Sequence, residues 1–169
     1  MSKVLKKMLP LGLLVITPLT WAKTSMEDIV SQYNISHCAS ALVTVANETI
    51  RDNQHRLLPG MAKVNVNRHL ISVTGVIQYR DRQSHIRFTA MATPNEKTHC
   101  DINFQETYVV KSTCILAREE VFKKWLYQGQ LNSETMVFHH KRDKDKVGYL
   151  SSASDGSFCL ISQQKSLQF

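Results

Sequence analysis

The sequence predicts an α+β domain, an antiparallel sheet of five to six strands with two main helices packed on one face, in the order α-βββ-α-βββ and stabilised by two disulfides. Three observations carry this expectation. Residues 111–129 repeat Cys114, Ala117, Val121, Phe122, Trp125 and Leu126 at three- and four-residue steps, the spacing of a helix with one apolar stripe that needs a sheet to cover it. Between residues 63 and 110 the apolar period changes to two, the spacing of strands. Four cysteines, Cys38, Cys100, Cys114 and Cys159, follow a leader of the secretory type, and an even count in an oxidising compartment reads as crosslinks.

The leader occupies residues 1–22. Lys3, Lys6 and Lys7 precede an apolar run at residues 8–19, and the small residues Thr20 and Ala22 flank Trp21 where a signal peptidase cuts. That run is short of the roughly 20 apolar residues needed to cross a bilayer, so no stable span is expected after cleavage. Residues 23–169 are long enough for one domain with its own core. The formal charge of +7 includes the three leader lysines, and the smaller mature charge gives no compositional case for nucleic acid as a partner.

Ser25, Glu27 and Asp28 open a first short helix with Met26, Ile29, Val30 and Tyr33 on one face. The stripe then slips, so a break is expected at residues 34–36 and a second helix over 37–52, carrying Cys38, Leu42, Val45 and Thr49. Leu58-Pro59-Gly60 is a breaker. Val64 and Val66 alternate on one parity and Ile71, Val73, Ile77 and Tyr79 on the other, which predicts a bulge near residues 67–69. After a turn at 81–84, Ile86, Phe88, Ala90 and Ala92 share a strand face. Thr93-Pro94-Asn95 closes that strand, and Cys100, Ile102, Phe104, Glu106, Tyr108 and Val110 line the next.

The helix over 111–129 has Ser112 or Thr113 as its cap, Glu119–Lys123 and Glu120–Lys124 as supporting pairs, and Gly129 at its exit. Strands are expected at 134–141, 147–151 and 157–163, with Ser154-Asp155-Gly156 as a hairpin turn. The element order hints at a duplicated unit with Cys38 and Cys114 early in each helix, although no residue-level similarity accompanies it.

Strand geometry restricts the crosslinks. Eleven residues at about 3.3 Å each place Cys100 roughly 30 Å from the far end of its strand, where Cys114 follows, while a bridge needs Cα atoms within about 7 Å. Of the two pairings that remain, Cys38 with Cys100 and Cys114 with Cys159 tie a helix to a strand in each half.

Glu106 is the most anomalous residue, a carboxylate on the parity of Ile102, Phe104 and Tyr108. Burial there raises its affinity for a proton, unless a bulge turns it outward or Arg118 or another base pairs with it. Cys114, at a helix N-terminus, is either crosslinked or an activated thiol served by His139 or His140. The seven histidines show no metal-ligand spacing, and no motif for a cofactor is present. Basic residues gather on the first hairpin, with Arg80, Arg82, His85 and Arg87 joined by Arg68 and His69, and again at residues 139–146.

The functional expectation is a secreted or periplasmic non-catalytic binding domain, protein-binding in the manner of an inhibitor, immunity or accessory factor. It would use the basic hairpin and the 95–99 loop to meet a protein or an anionic envelope component. The alternatives are a carrier of a small apolar ligand or lipid, with Glu106 and Tyr108 orienting it in a pocket between sheet and helices, and a hydrolase or thiol enzyme.

Overall fold

The computed structural model describes residues 25–93, 99–153 and 155–169. The leader, residues 94–98 with most of the 95–99 segment expected at the binding surface, and Ser154 lie outside the described residues. The chain runs α1 (Met26–Gln32), α2 (Ala39–Ile50), β1 (Gln54–Pro59), a 3-10 turn at Val66–Arg68, β2 (Ile71–Gln78), β3 (Gln83–Ala92), β4 (Cys100–Val110), α3 (Cys114–Val121), β5 (Trp125–Gln130), β6 (Thr135–His140), β7 (Lys146–Ser152) and β8 (Cys159–Gln168). All eight strands form one antiparallel sheet in the order β1-β2-β3-β4-β8-β7-β6-β5.

This corrects the expected architecture of five to six strands under two main helices. Among the described residues there are eight strands and three short helices, and each half contributes four strands rather than three. The largest departure is at residues 111–129, where a single helix is expected. Thr113 caps it by accepting from the Leu116 N–H, but it ends at Val121. Phe122 then sinks against the sheet, and Trp125–Gln130 pairs with β6 as an edge strand, bulged at Gln128. A helical stripe and an aromatic-rich edge strand compete for Trp125, Leu126 and Tyr127, and sheet pairing wins because β6 would otherwise be left as an unpaired edge. The segment 54–59, for which no strand is expected, pairs with β2 as the opposite edge. Val64 and Val66 belong to no strand; Asn65 is left-handed and Val66 begins the 3-10 turn.

The helix break at residues 34–36 has a specific partner. Asn67 accepts from the Ser36 N–H at 2.8 Å through Oδ1 and donates to the Asn34 carbonyl at 3.1 Å through Nδ2. One side chain thereby satisfies backbone groups that the interrupted helix leaves open.

The halves are related by an approximate twofold axis through the centre of the β4–β8 pair. Cys38 is bonded to Cys100 and Cys114 to Cys159, each bridge joining the start of a helix to the first residue of a central strand. Gln105 lies opposite Gln164, and each is the fifth residue after its strand cysteine. α2 rests on β3 and β4 with α1 against it, and α3 rests on β7 and β8, so all helices cover the same face. Two cores result. Leu42, Val73, Phe88 and Ile102 lie in the larger, and Phe122, Phe138, Leu150 and Ile161 in the smaller.

Packing shows why the matching strand order of the two halves is not accompanied by matching residues. Phe88 lies opposite Phe104 and Gly148 opposite Gln163, each strand partner being the fourth residue after its cysteine. Ala46 and Phe122 are each eight residues beyond the helix cysteine. The large and small residues have thus changed places between sheet and helix. A Cβ on Gly148 would fall on the Phe122 ring, which also meets Trp125 and Phe138 with centroids 4.8 and 5.0 Å away.

Candidate functional site

Two groups of polar side chains stand out, one on each face of the sheet. On the helix-covered face, Arg82 folds back from the β2–β3 hairpin. Its guanidinium lies 4.4 Å from the Tyr79 ring centre and 4.5 Å from that of Tyr108, with an Nη 3.8 Å from Glu106. The expected core carboxylate is therefore paired, and its partner is Arg82 rather than Arg118. The Glu106 side chain is 14% exposed and that of Arg82 32%, so each ring contact is of the order of 0.5–1 kcal/mol. Glu106 Oε1, Arg82 Nε and Ser84 Oγ are buried without hydrogen bonds.

The twofold relation places a charge-reversed counterpart in the other half. Lys165, like Glu106, is the sixth residue after its strand cysteine, and it pairs at 2.8 Å with Asp143 of the β6–β7 hairpin. The hydrogen bond from Lys165 holds the Asp143 carboxyl below the usual range. In both halves a charged residue of a central strand thus ties down a hairpin.

Burial pushes the Tyr79 hydroxyl up to about 12, with the neighbouring Glu106 carboxylate acting in the same direction, and burial also raises Tyr108. Because Tyr79 holds its proton more tightly in the folded state, its contribution to stability is complete below about pH 10, the unfolded value. It is lost as pH rises to about 12. Urea midpoints measured across that window should fall with pH, and Tyr79→Phe should make the fall shallower; an unchanged slope would contradict the placement of this hydroxyl.

Among the described residues no helix covers the opposite face. Gln105 donates to Ser162 at 3.0 Å, Thr107 and Ser162 share a 3.1 Å hydrogen bond, and Gln164 donates to Tyr149 at 3.1 Å, forming an uncharged platform at the centre. Beside it, over β1 to β4, opens a depression of about 620 Å³ whose walls carry Arg56 and Leu58 on β1 and His85 and Arg87 on β3, with Thr74 and Val76 between. Among the described residues no aspartate or glutamate lines it. On the helix-covered side of β2, a Cβ on Gly75 would collide with the Arg56 carbonyl oxygen and the buried Leu57 side chain, so its absence lets β1 lie close to β2.

The residues singled out from the sequence therefore divide. His85 and Arg87 are exposed on the open face; Arg82, Glu106 and Tyr108 meet on the covered face; Arg80 is exposed at the hairpin tip. The basic hairpin is not one patch, because alternate residues of a strand point to opposite faces. Arg56 and Thr74 were missed in the groove because β1 was missed. His-Arg-Leu-Leu-Pro at residues 55–59, with His55, Leu57 and Pro59 on one parity, was the available signal.

His140 accepts backbone N–H groups of Arg142 and Asp143 and meets Trp125 edge-on. Among the described residues no group of three or more His, Cys, Asp or Glu gathers to hold a metal. All four cysteines are bonded, so Cys114 carries no free thiol for catalysis. No helix among the described residues is long and apolar enough to cross a membrane. The two disulfides are compatible with an extracellular or periplasmic location. No family model matches the chain, and no curated protein or solved structure matches it.

Proposed function

We propose that this chain is an exported, non-catalytic domain that captures a partner protein on the open face of its sheet, receiving acidic side chains in the groove between β1 and β3. One observation carries the reading: the groove presents the exposed His85 and Arg87, with no carboxylate among its described lining residues. Such a surface attracts anionic groups and speeds their encounter. Leu58 on its rim and the neutral Gln105–Ser162 platform beside it add the apolar and hydrogen-bonding surface of a protein interface. The carrier alternative draws less support, because Tyr108 is buried against the smaller core and Glu106 is held by Arg82.

The test uses the oxidised chain, immobilised, and an extract of its own cell envelope. The wild-type chain should retain a protein that Arg87→Glu with His85→Glu loses by at least about tenfold, the loss of one charged contact being worth 1.4 kcal/mol or more. Both positions are exposed, so the melting temperature should hold. Equal retention by the variant would remove the groove. Capture that survives proteolysis of the extract would identify an envelope polymer and overturn the protein reading.

A further inference from the structure

We infer that β5 is the edge at which this chain pairs with a second copy of itself, the two β5 strands running antiparallel about a twofold axis so that one sheet continues into the other. The pairing is independent of the groove, which lies toward the opposite edge. The two edges are guarded differently. β1 carries His55 and Arg56 and ends on Pro59, features that discourage a further strand from adding. In β5 and the turn after it, residues 125–133 contain neither charge nor proline. Leu126, Tyr127 and Leu131 are there 54%, 50% and 71% exposed.

The bulge at Gln128 selects what can pair there. The Lys141 N–H donates to the Lys124 carbonyl, and the Leu131 N–H to the Thr135 carbonyl. Along an antiparallel ladder, residues bonded to a given neighbour alternate with residues turned away from it. Counting in from both ends, Lys124 and Leu126 face β6 before the bulge, and Gly129 and Leu131 face it after. The backbone groups of Tyr127 and Gln130 therefore turn outward, three residues apart. In a regular strand such groups recur every two residues, so an ordinary extended segment matches one of them and misses the other. A second β5 matches both. Tyr127 of each copy then lies opposite Gln130 of the other, with the two bulges side by side at the axis.

The same register pairs the side chains. Tyr127 and Gln130 stand opposite Phe138 and Met136 of β6, on the helix-covered face. Leu126 stands opposite His139, and Leu131 beside Thr135, on the open face. Leu126 of each copy is thus directly opposite Leu131 of the other, a contact that the twofold axis makes twice. At the ends, the exposed Lys123 and Lys124 of one copy come to the turn where the other holds the exposed Glu134, so unlike charges frame an uncharged centre. The contact is isologous and closes at two copies, leaving both grooves open at the far edges of the pair.

Sedimentation velocity of the oxidised chain over a hundredfold range of concentration tests this. The weight-average mass should rise from that of one chain to a plateau at two. Leu126→Lys with Leu131→Lys sets like charges opposite each other at both contacts and should raise the dissociation constant at least about tenfold. Leu126→Lys with Leu131→Glu removes the same leucines but opposes unlike charges, and should dimerise at least about tenfold more tightly than the lysine pair. Both positions are exposed, so circular dichroism melts of the two variants should match that of the wild-type monomer. A wild-type chain monomeric throughout, growth beyond two copies, or equal association of the two variants would overturn the inference.

Discussion

Replacing Cys114 and Cys159 together by serine is expected to lower the stability of the oxidised domain by about 4 kcal/mol, enough to move the melting midpoint by about 10 °C. The bridge closes a loop with a sequence separation of 45, and the Cys38–Cys100 bridge one of 62. On loop-closure entropy alone the two losses are similar, because the dependence on loop length is logarithmic. Their local consequences differ. The Cys114–Cys159 bridge anchors a single eight-residue helix over the smaller core, whereas the other half keeps α1 against α2 and the larger core. Limited proteolysis of the double serine variant should therefore cut first in α3 and β5, while α2 and β2 to β4 stay protected. A midpoint shift equivalent to less than about 1 kcal/mol, or first cleavage in α2, would contradict this division of the fold.

The second large effect concerns Gly148 and Phe122. Gly148→Phe is expected to cost more than about 3 kcal/mol, beyond the usual range for overpacking, because the ring it displaces is boxed in by Trp125 and Phe138. Phe122→Ala is expected to cost about 3–5 kcal/mol through the cavity it leaves. Combined, the two reproduce the arrangement of the first half, where Phe88 stands on the strand and Ala46 on the helix. Each change then fills or clears the volume altered by the other, so the double variant should recover about 2 kcal/mol or more relative to the sum of the singles. Additive losses in urea titrations would show that the halves do not share a packing scheme.

Much of the strand content was legible in the sequence. Ile71, Val73 and Ile77, then Ile86, Phe88 and Ala90, then Cys100 and Ile102 alternate cleanly because one face of those strands is buried under α2 and the other meets solvent. The edge strands were not legible. Gln54–Pro59 is short, with only Leu57 fully buried, and Trp125–Gln130 follows directly on a helix whose apolar spacing runs on into it. Edge strands take much of their definition from a neighbour remote in the chain, and a local window does not contain that neighbour. The candidate site divided in the same way. Glu106 announced itself by sitting on an apolar parity, but its partner Arg82 reaches it from a neighbouring hairpin, and one wall of the groove comes from β1, which pairs with β2.

By itself, then, the order of residues determined the central strands, the starts of α1 and α3 and the anomaly of Glu106, because periodicity and capping act within a few residues of chain. Tertiary structure decided the number of strands, the twofold arrangement of the halves, and which basic side chains face the open groove rather than the core. Those depend on which segments meet across the sheet, and pairing between distant segments is settled by burial and register over the whole molecule.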